Sequence, residues 1–324
     1  MIRRATIGLL VLAQACTHGQ PYEQSYLRAP DNWVFRRGYE NADRLFNAFD
    51  YGHAIISETL LRHPGDAAMR LEGREYTFIT SRLLREPPSV PLDEHAVAPR
   101  YGVELPEAIA TFEWAHALHR QLYDIIADWR LSPAMRERRI REALRYYRSR
   151  PDLALSDAPK SMELMEGQGF SLAFRRAAPR FNRLVWSYHW LQMGLYDALL
   201  RSDETVERRH AVDLTIERFF AMNADSSRVP AMMPMSAAIA PRFTERYPDA
   251  AIIFDNLHAL HDVVSDILAS PSIPSSAKRT EVLRALASYR DSTTAVTSRA
   301  EWIAMSRGMG LEEMGGAIPV PIAK

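Results

Sequence analysis

Three stretches of the chain place a carboxylate three residues before a histidine in otherwise similar surroundings. They are Phe49-Asp50-Tyr51-Gly52-His53-Ala54-Ile55, Phe112-Glu113-Trp114-Ala115-His116-Ala117-Leu118 and Phe254-Asp255-Asn256-Leu257-His258-Ala259-Leu260. On a helix, residues i and i+3 share a face one turn apart, so an acid and a histidine at this spacing can reach the same metal ion. A fourth stretch, Val185 to Leu191, holds His189 in the same frame, with Trp186 where the acid would stand. The four histidines recur roughly 70 residues apart, a longer interval than common solenoid repeats. The chain reads as four diverged copies of one helical unit, each with a histidine at its centre.

The candidate metal ligands are therefore Asp50, His53, Glu113, His116, His189, Asp255 and His258. His119 and His261 come from a repeated His-Ala-Leu-His, and Asp124, Asp197 and Asp266 follow His116, His189 and His258 at one common offset. These five are candidates for an outer shell that orients the ligands through hydrogen bonds. Glu58, five residues after His53, is a further candidate carboxylate. A mixed imidazole and carboxylate set suits iron or manganese and admits zinc. Non-covalent haem between facing histidines is the alternative cofactor. The architectural alternative is that duplicated helices each retain a buried histidine that hydrogen bonds a neighbour.

The acid-x-x-His spacing resembles the Glu-x-x-His device of ferritin-like di-iron and di-manganese bundles. Glu113 with His116 matches it literally; Asp50 with His53 and Asp255 with His258 match it with a shorter acid. That resemblance implies a bundle holding one or two metal ions, with redox or oxygen-linked chemistry. It covers only these short segments, and the chain departs from it in having three such pairs and Trp186 in the fourth. The nitrogen-rich mix is closer to hemerythrin-like bundles, whose ligand spacings the chain does not share.

The elements that must position these residues are helical. Apolar residues recur at three- and four-residue steps from about 41 to 62, Pro106 suits the first turn of the next histidine helix, and Ser132-Pro133 reads as a cap with a first-turn proline. No alternating strand pattern appears. The expected fold is all-α: four helical hairpins at 41–86, 106–150, 171–223 and 249–291, with the histidine helices forming a central bundle and Arg-rich partners outside. Residues 16–40 read as a tether and 292–324 as a tail with room for one helix.

Residues 1–15 resemble a bacterial lipoprotein export signal, with Arg3 and Arg4 before a short apolar run and Ala13-Gln14-Ala15 before Cys16, the chain's single cysteine. That resemblance implies lipidation at Cys16 and a membrane-anchored place in the periplasm or cell envelope. Plain cleavage at the same bond is the alternative. Lys plus Arg equal Asp plus Glu at 40 each, which removes the electrostatic case for a nucleic-acid partner. No dinucleotide, P-loop, nucleophile-elbow or His-Glu-x-x-His motif occurs, and without Cys-x-x-Cys-His a covalent c-type haem is excluded. Met232, Met233 and Met235 read as packing residues. Three functions remain: an exported, lipid-anchored metalloprotein with a mono- or di-metal site, a non-catalytic accessory or scaffold lipoprotein of a membrane complex, or a helical protein that binds haem or another tetrapyrrole non-covalently. No substrate is legible.

Overall fold

The computed structural model describes residues 25–225 and 227–320; the export signal and Cys16 lie outside them. Among the described residues the protein is all-α, and its one β-type pairing is an isolated bridge between Lys160 and Val296.

Each unit runs through a short lead-in helix, a long histidine helix and a partner. The first has α1 (Val34–Gly38) and α2 (Glu40–Arg62), followed by α3 (Ala67–Arg70), which continues through π-helical turns at Leu71–Glu75 and Ile79–Leu83. The second has α4 (Glu94–Val97), α5 (Pro99–Glu104), α6 (Pro106–Ala127) and α7 (Pro133–Arg148). The third has α8 (Ala173–Ala177), α9 (Pro179–Leu199) and α10 (Thr205–Ala224). The fourth has α11 (Ser236–Ile239), α12 (Pro241–Arg246), α13 (Pro248–Ala269) and α14 (Ser275–Arg290), and α15 (Arg299–Gly308) closes the fold.

Proline at the first helical position starts α6, α9 and α13, where its missing N–H is not needed. Ser132 caps α7 through the Met135 amide, and Ser298 with Glu301 forms a capping box on α15. α13 is buried without a break from Ala250 to Leu268, as a central helix must be. α2 and α6 each pack against both α9 and α13, so the four histidine helices enclose a common interior.

Four carboxylates tie the units together in reciprocal pairs. Asp124 on α6 accepts the amides of Trp33 and Phe35 at 3.0 and 2.8 Å, at the start of α1. Glu58 on α2 accepts those of Arg100 and Tyr101 at 2.9 and 3.1 Å, at the start of α5. Asp266 on α13 likewise holds Leu172 and Phe174, both at 2.8 Å, at the start of α8, and Asp197 on α9 holds the Arg242 amide at 2.8 Å, at the start of α12. Units one and two thus cap each other, as do three and four. Trp33 and Leu172 share the left-handed conformation, with φ of 72° and 66°, which is costly for side chains of this size. The carboxylates that receive their amides hold both in place.

The second half of the chain therefore repeats the first. Ala98-Pro99-Arg100 and Ala240-Pro241-Arg242 precede His116 and His258 at one constant distance, and Phe35-Arg36-Arg37 has its counterpart in Phe174-Arg175-Arg176. Replacing Asp266 with alanine leaves two amides at the start of α8, one buried and one partly buried, without an acceptor and is expected to cost about 1 to 3 kcal/mol. Asparagine, which keeps an acceptor, should recover part of that loss in denaturant unfolding.

Two boundaries expected from composition change. Residues 25–40 are packed and not a loose tether: Tyr26, Phe35 and Tyr39 are buried, and α1 lies on α6. These aromatics anchor the segment to the fold. Beyond residue 291, Trp302 of α15 and Met314 enter the core, so the tail is an integral part of the fold.

Candidate metal centre

Six histidines meet inside the bundle. His116, His119, His189 and His258 have no exposed surface, and His261 and His53 retain 5% and 8%. The rings touch: His53 lies 3.8 Å from His261 between centroids, and His189 stacks on His258 at 4.0 Å. Phe46, Phe49, Phe112 and Phe254 pack around them. Ligand nitrogens of His53, His116 and His261 lie within 4.8 Å of one another, a spacing that one metal ion can bridge.

Asp50 joins this triad. Its Oδ1 is 3.5 Å from His116 Nδ1, and its Oδ2 accepts a 2.6 Å bond from Arg120, which also reaches Asp43 at 3.5 Å. Burial raises the Asp50 carboxyl to about 6 against the pull of Arg120. Burial also drives every imidazole the other way. His116 and His258 fall to about 3, and His53, His119, His189 and His261 fall well below the ordinary histidine range. All six are neutral at pH 7, the form in which imidazole binds metal.

Most of these nitrogens have no partner within the protein. Both ring nitrogens of His53, His116, His189 and His261, Nε2 of His119 and Nδ1 of His258 make no hydrogen bond. Two that do are His119 Nδ1, 2.9 Å from the Tyr196 hydroxyl, and His258 Nε2, 3.1 Å from Gln192 Oε1. Burying polar groups without partners costs free energy, and folded proteins rarely leave so many together. A cluster of neutral, converging imidazoles, each with at least one ring nitrogen free of hydrogen bonds, has the chemistry of a transition-metal site.

The four capping carboxylates reveal the register of the repeat, which differs from the one the acid-x-x-His motif suggests. Counting back from Glu58, Asp124, Asp197 and Asp266, every unit presents inward residues at i and i+3, with its cap at i+8. These are Asp50 and His53, His116 and His119, His189 and Gln192, and His258 and His261. Asp50 therefore corresponds to His116 and not to Glu113, and Gln192 corresponds to His53. A shift of three residues is nearly a full turn, so the mistaken frame still lands on the same helix face.

Several sequence-based assignments change as a result. Asp255 is held by the Ser236 amide and hydroxyl at 2.9 and 2.6 Å and by the Trp302 indole at 2.9 Å, so it anchors α11 and α15. Glu113 stays outside the triad. Burial and the neighbouring Asp93 and Asp50 raise it to about 7. Asp124, Asp197 and Asp266 serve backbone amides and Arg242, so they are not an outer shell for the histidines, and Glu58 is a cap of the same kind. His119 and His261 move inward, and His261 belongs to the triad itself.

Arg120, Gln192 and Tyr196 were not legible as site residues. The available signal was the His-Ala-Leu-His repeat, which marks the i and i+3 positions and places Arg120 one turn beyond His116. The rings contact one another and the phenylalanines directly, a packing that haem between facing histidines would have to open. Surface cavities of about 490 and 320 Å³ are lined by Arg183, Arg218 and Glu312 and by Phe170, Ile273 and Tyr289 respectively, and none of the six histidines lines either.

A pH dependence follows from the depressed imidazoles. His258 titrates near 3 in the folded protein and near 6.5 when unfolded, so the unfolded chain binds the extra proton between those values. Stability from this group is complete above about 6.5 and is lost as pH falls, by about 1.4 kcal/mol per pH unit. The buried carboxyls, raised to about 6 or 7, act oppositely over much of that window, so the term is isolated by difference. Metal-free His258→Gln protein is expected to lose stability between pH 6 and 4 by one proton less than its parent, measured by urea unfolding at each pH.

No family model, curated protein or solved structure matches this chain.

Proposed function

We propose that this protein is a helical metalloprotein whose buried triad His53, His116 and His261, with Asp50, binds a divalent transition metal ion. The carrying observation is the set of converging ring nitrogens that are buried, neutral and without hydrogen-bond partners. With Asp255 engaged elsewhere and Glu113 outside the triad, three imidazoles and one carboxylate suit iron or zinc better than manganese, which prefers oxygen donors.

In this proposal Arg120 fixes the Asp50 carboxylate beside His116, and the phenylalanines around the rings keep bulk water away. Iron bound there would supply one-electron or oxygen-linked chemistry; zinc would supply Lewis acidity. The histidines stay neutral at pH 7, each with one N–H proton and one nitrogen free to bind metal. Export and anchoring through Cys16 belong to the same proposal, on the strength of the N-terminal residues.

Elemental analysis of protein purified without chelator or affinity metal provides the test. Stoichiometric iron or zinc that disappears from the His116→Ala and His261→Ala variants is the expected result. Metal-free, folded protein that takes up neither ion on titration would overturn it and favour the accessory-lipoprotein alternative.

A further inference from the structure

The internal duplication carries a second site. The reciprocal caps relate α2 to α9 and α6 to α13, and the side chains around the histidines obey the same relation. His261 packs on Phe112 at 4.0 Å, and its counterpart His119 packs on Phe254, the counterpart of Phe112, also at 4.0 Å. Asp50 approaches His116, and its counterpart His189 stacks on His258. Contacts between helices repeat as well: α1 lies on α6 as α8 lies on α13, and α5 lies on α2 as α12 lies on α9.

Applying that relation to Asp50, His53, His116 and His261 gives His189, Gln192, His258 and His119. Both sets contain three imidazoles and one oxygen donor. In the second set all four side chains are at least nine-tenths buried. Both nitrogens of His189, Nε2 of His119, Nδ1 of His258 and Nε2 of Gln192 lack partners, while Gln192 Oε1 already lies 3.1 Å from His258 Nε2. The Tyr196 hydroxyl on His119 Nδ1 leaves Nε2 as that ring's open nitrogen, the arrangement by which an outer hydrogen bond orients a metal-binding imidazole.

We propose that His119, His189, Gln192 and His258 form a second transition-metal position, related to the triad by the internal twofold and sharing its interior. The proposal rests on the triad being a metal site. The two positions differ by one charge, since the counterparts of Asp50 and His53 are His189 and Gln192, which leaves a carboxamide as the second set's oxygen donor. Ligand charge tunes metal affinity, so the second position is the weaker, by about tenfold or more.

The test is titration of full-length, metal-free protein with Co²⁺ alone, read as equivalents retained in equilibrium dialysis and as the visible ligand-field bands, with circular dichroism verifying each fold. The parent is expected to bind two equivalents in separable steps. His189→Ala with Gln192→Ala should keep only the tighter one, and His53→Ala with His261→Ala only the weaker. Gln192→Glu, which changes volume little, should tighten the weaker step about tenfold or more and leave the tighter one unchanged. One equivalent in the parent that survives the His189/Gln192 change would overturn the second position and leave the triad standing. So would two equivalents with Gln192→Glu moving neither step. No Co²⁺ binding by the folded parent would overturn both.

Discussion

Leucine in place of His53, His116 and His261 is expected to raise the stability of the metal-free protein while abolishing metal binding at the triad. Each of these imidazoles is buried with both ring nitrogens lacking a hydrogen-bond partner, so each carries a desolvation cost that an apolar side chain of similar bulk avoids. That cost is about 1 to 3 kcal/mol per unsatisfied group. The gain for three exchanges is several kcal/mol, reduced by imperfect packing of leucine against Phe49 and Phe112. An architectural role predicts the opposite sign, because removing well-packed residues that support neighbouring helices destabilises a fold. Chemical denaturation of both metal-free proteins at pH 7.5 separates the two. With metal present the order reverses. A ligand at a thousand times its dissociation constant stabilises by about 4 kcal/mol. At a metal concentration that loads only the tighter position, the parent should therefore gain about 10 °C in melting temperature, and the leucine variant should lose that gain.

Arg120→Met is expected to be the most damaging single exchange near the site. Arg120 is buried, with Asp50 at 2.6 Å and Asp43 at 3.5 Å, and it stacks over the Phe46 ring at 4.2 Å. Removing the cation strands two buried carboxylates, and breaking such a pair costs about 3 to 5 kcal/mol. The loss has a pH signature. Burial already raises Asp50 to about 6 and also raises Asp43; without Arg120 both move further up. The folded variant then holds protons that the unfolded chain releases, so its stability falls as pH rises through the folded pKa. The deficit relative to the parent should be small near pH 4.5 and largest above pH 7. A deficit independent of pH would mean that Arg120 acts through packing on Phe46 alone.

The all-α class was legible in the sequence because its signals are local: apolar residues at helical spacing, a first-turn proline at Pro106, and Ser132 before Pro133. Recurrence of histidine at long intervals was legible too. The register within each unit was not. Phe49-Asp50 and Phe112-Glu113 look alike, yet the fold superimposes Asp50 on His116, and only the capping contacts of Glu58 and Asp124 reveal it. Those contacts join residues far apart in sequence, Asp124 to Phe35 and Asp266 to Phe174, so no periodicity could announce them. Asp255 illustrates the same limit. Its spacing to His258 matches a ligand pair, but its neighbours Ser236 and Trp302 come from other elements and claim both of its oxygens.

The duplication also accounts for the unequal chemistry of the two halves. Where the second half closes Asp255 with Ser236 and Trp302, the first half places Glu94 and Glu113 in the corresponding positions, and burial together with their mutual proximity raises Glu94 far above the usual carboxylate range. The first half therefore holds the acidic side of the site and the second half holds the neutral one, with Asp50 and Gln192 as the residues that distinguish them.

The most direct test is a crystal structure of the full chain soaked in the metal ion that elemental analysis identifies, with diffraction data collected on both sides of its absorption edge. An anomalous peak about 2.0 to 2.2 Å from nitrogens of His53, His116 and His261 is the predicted result. Anomalous density only at surface carboxylates, with the six rings still packed on one another, would contradict it and make the buried histidines part of the architecture alone.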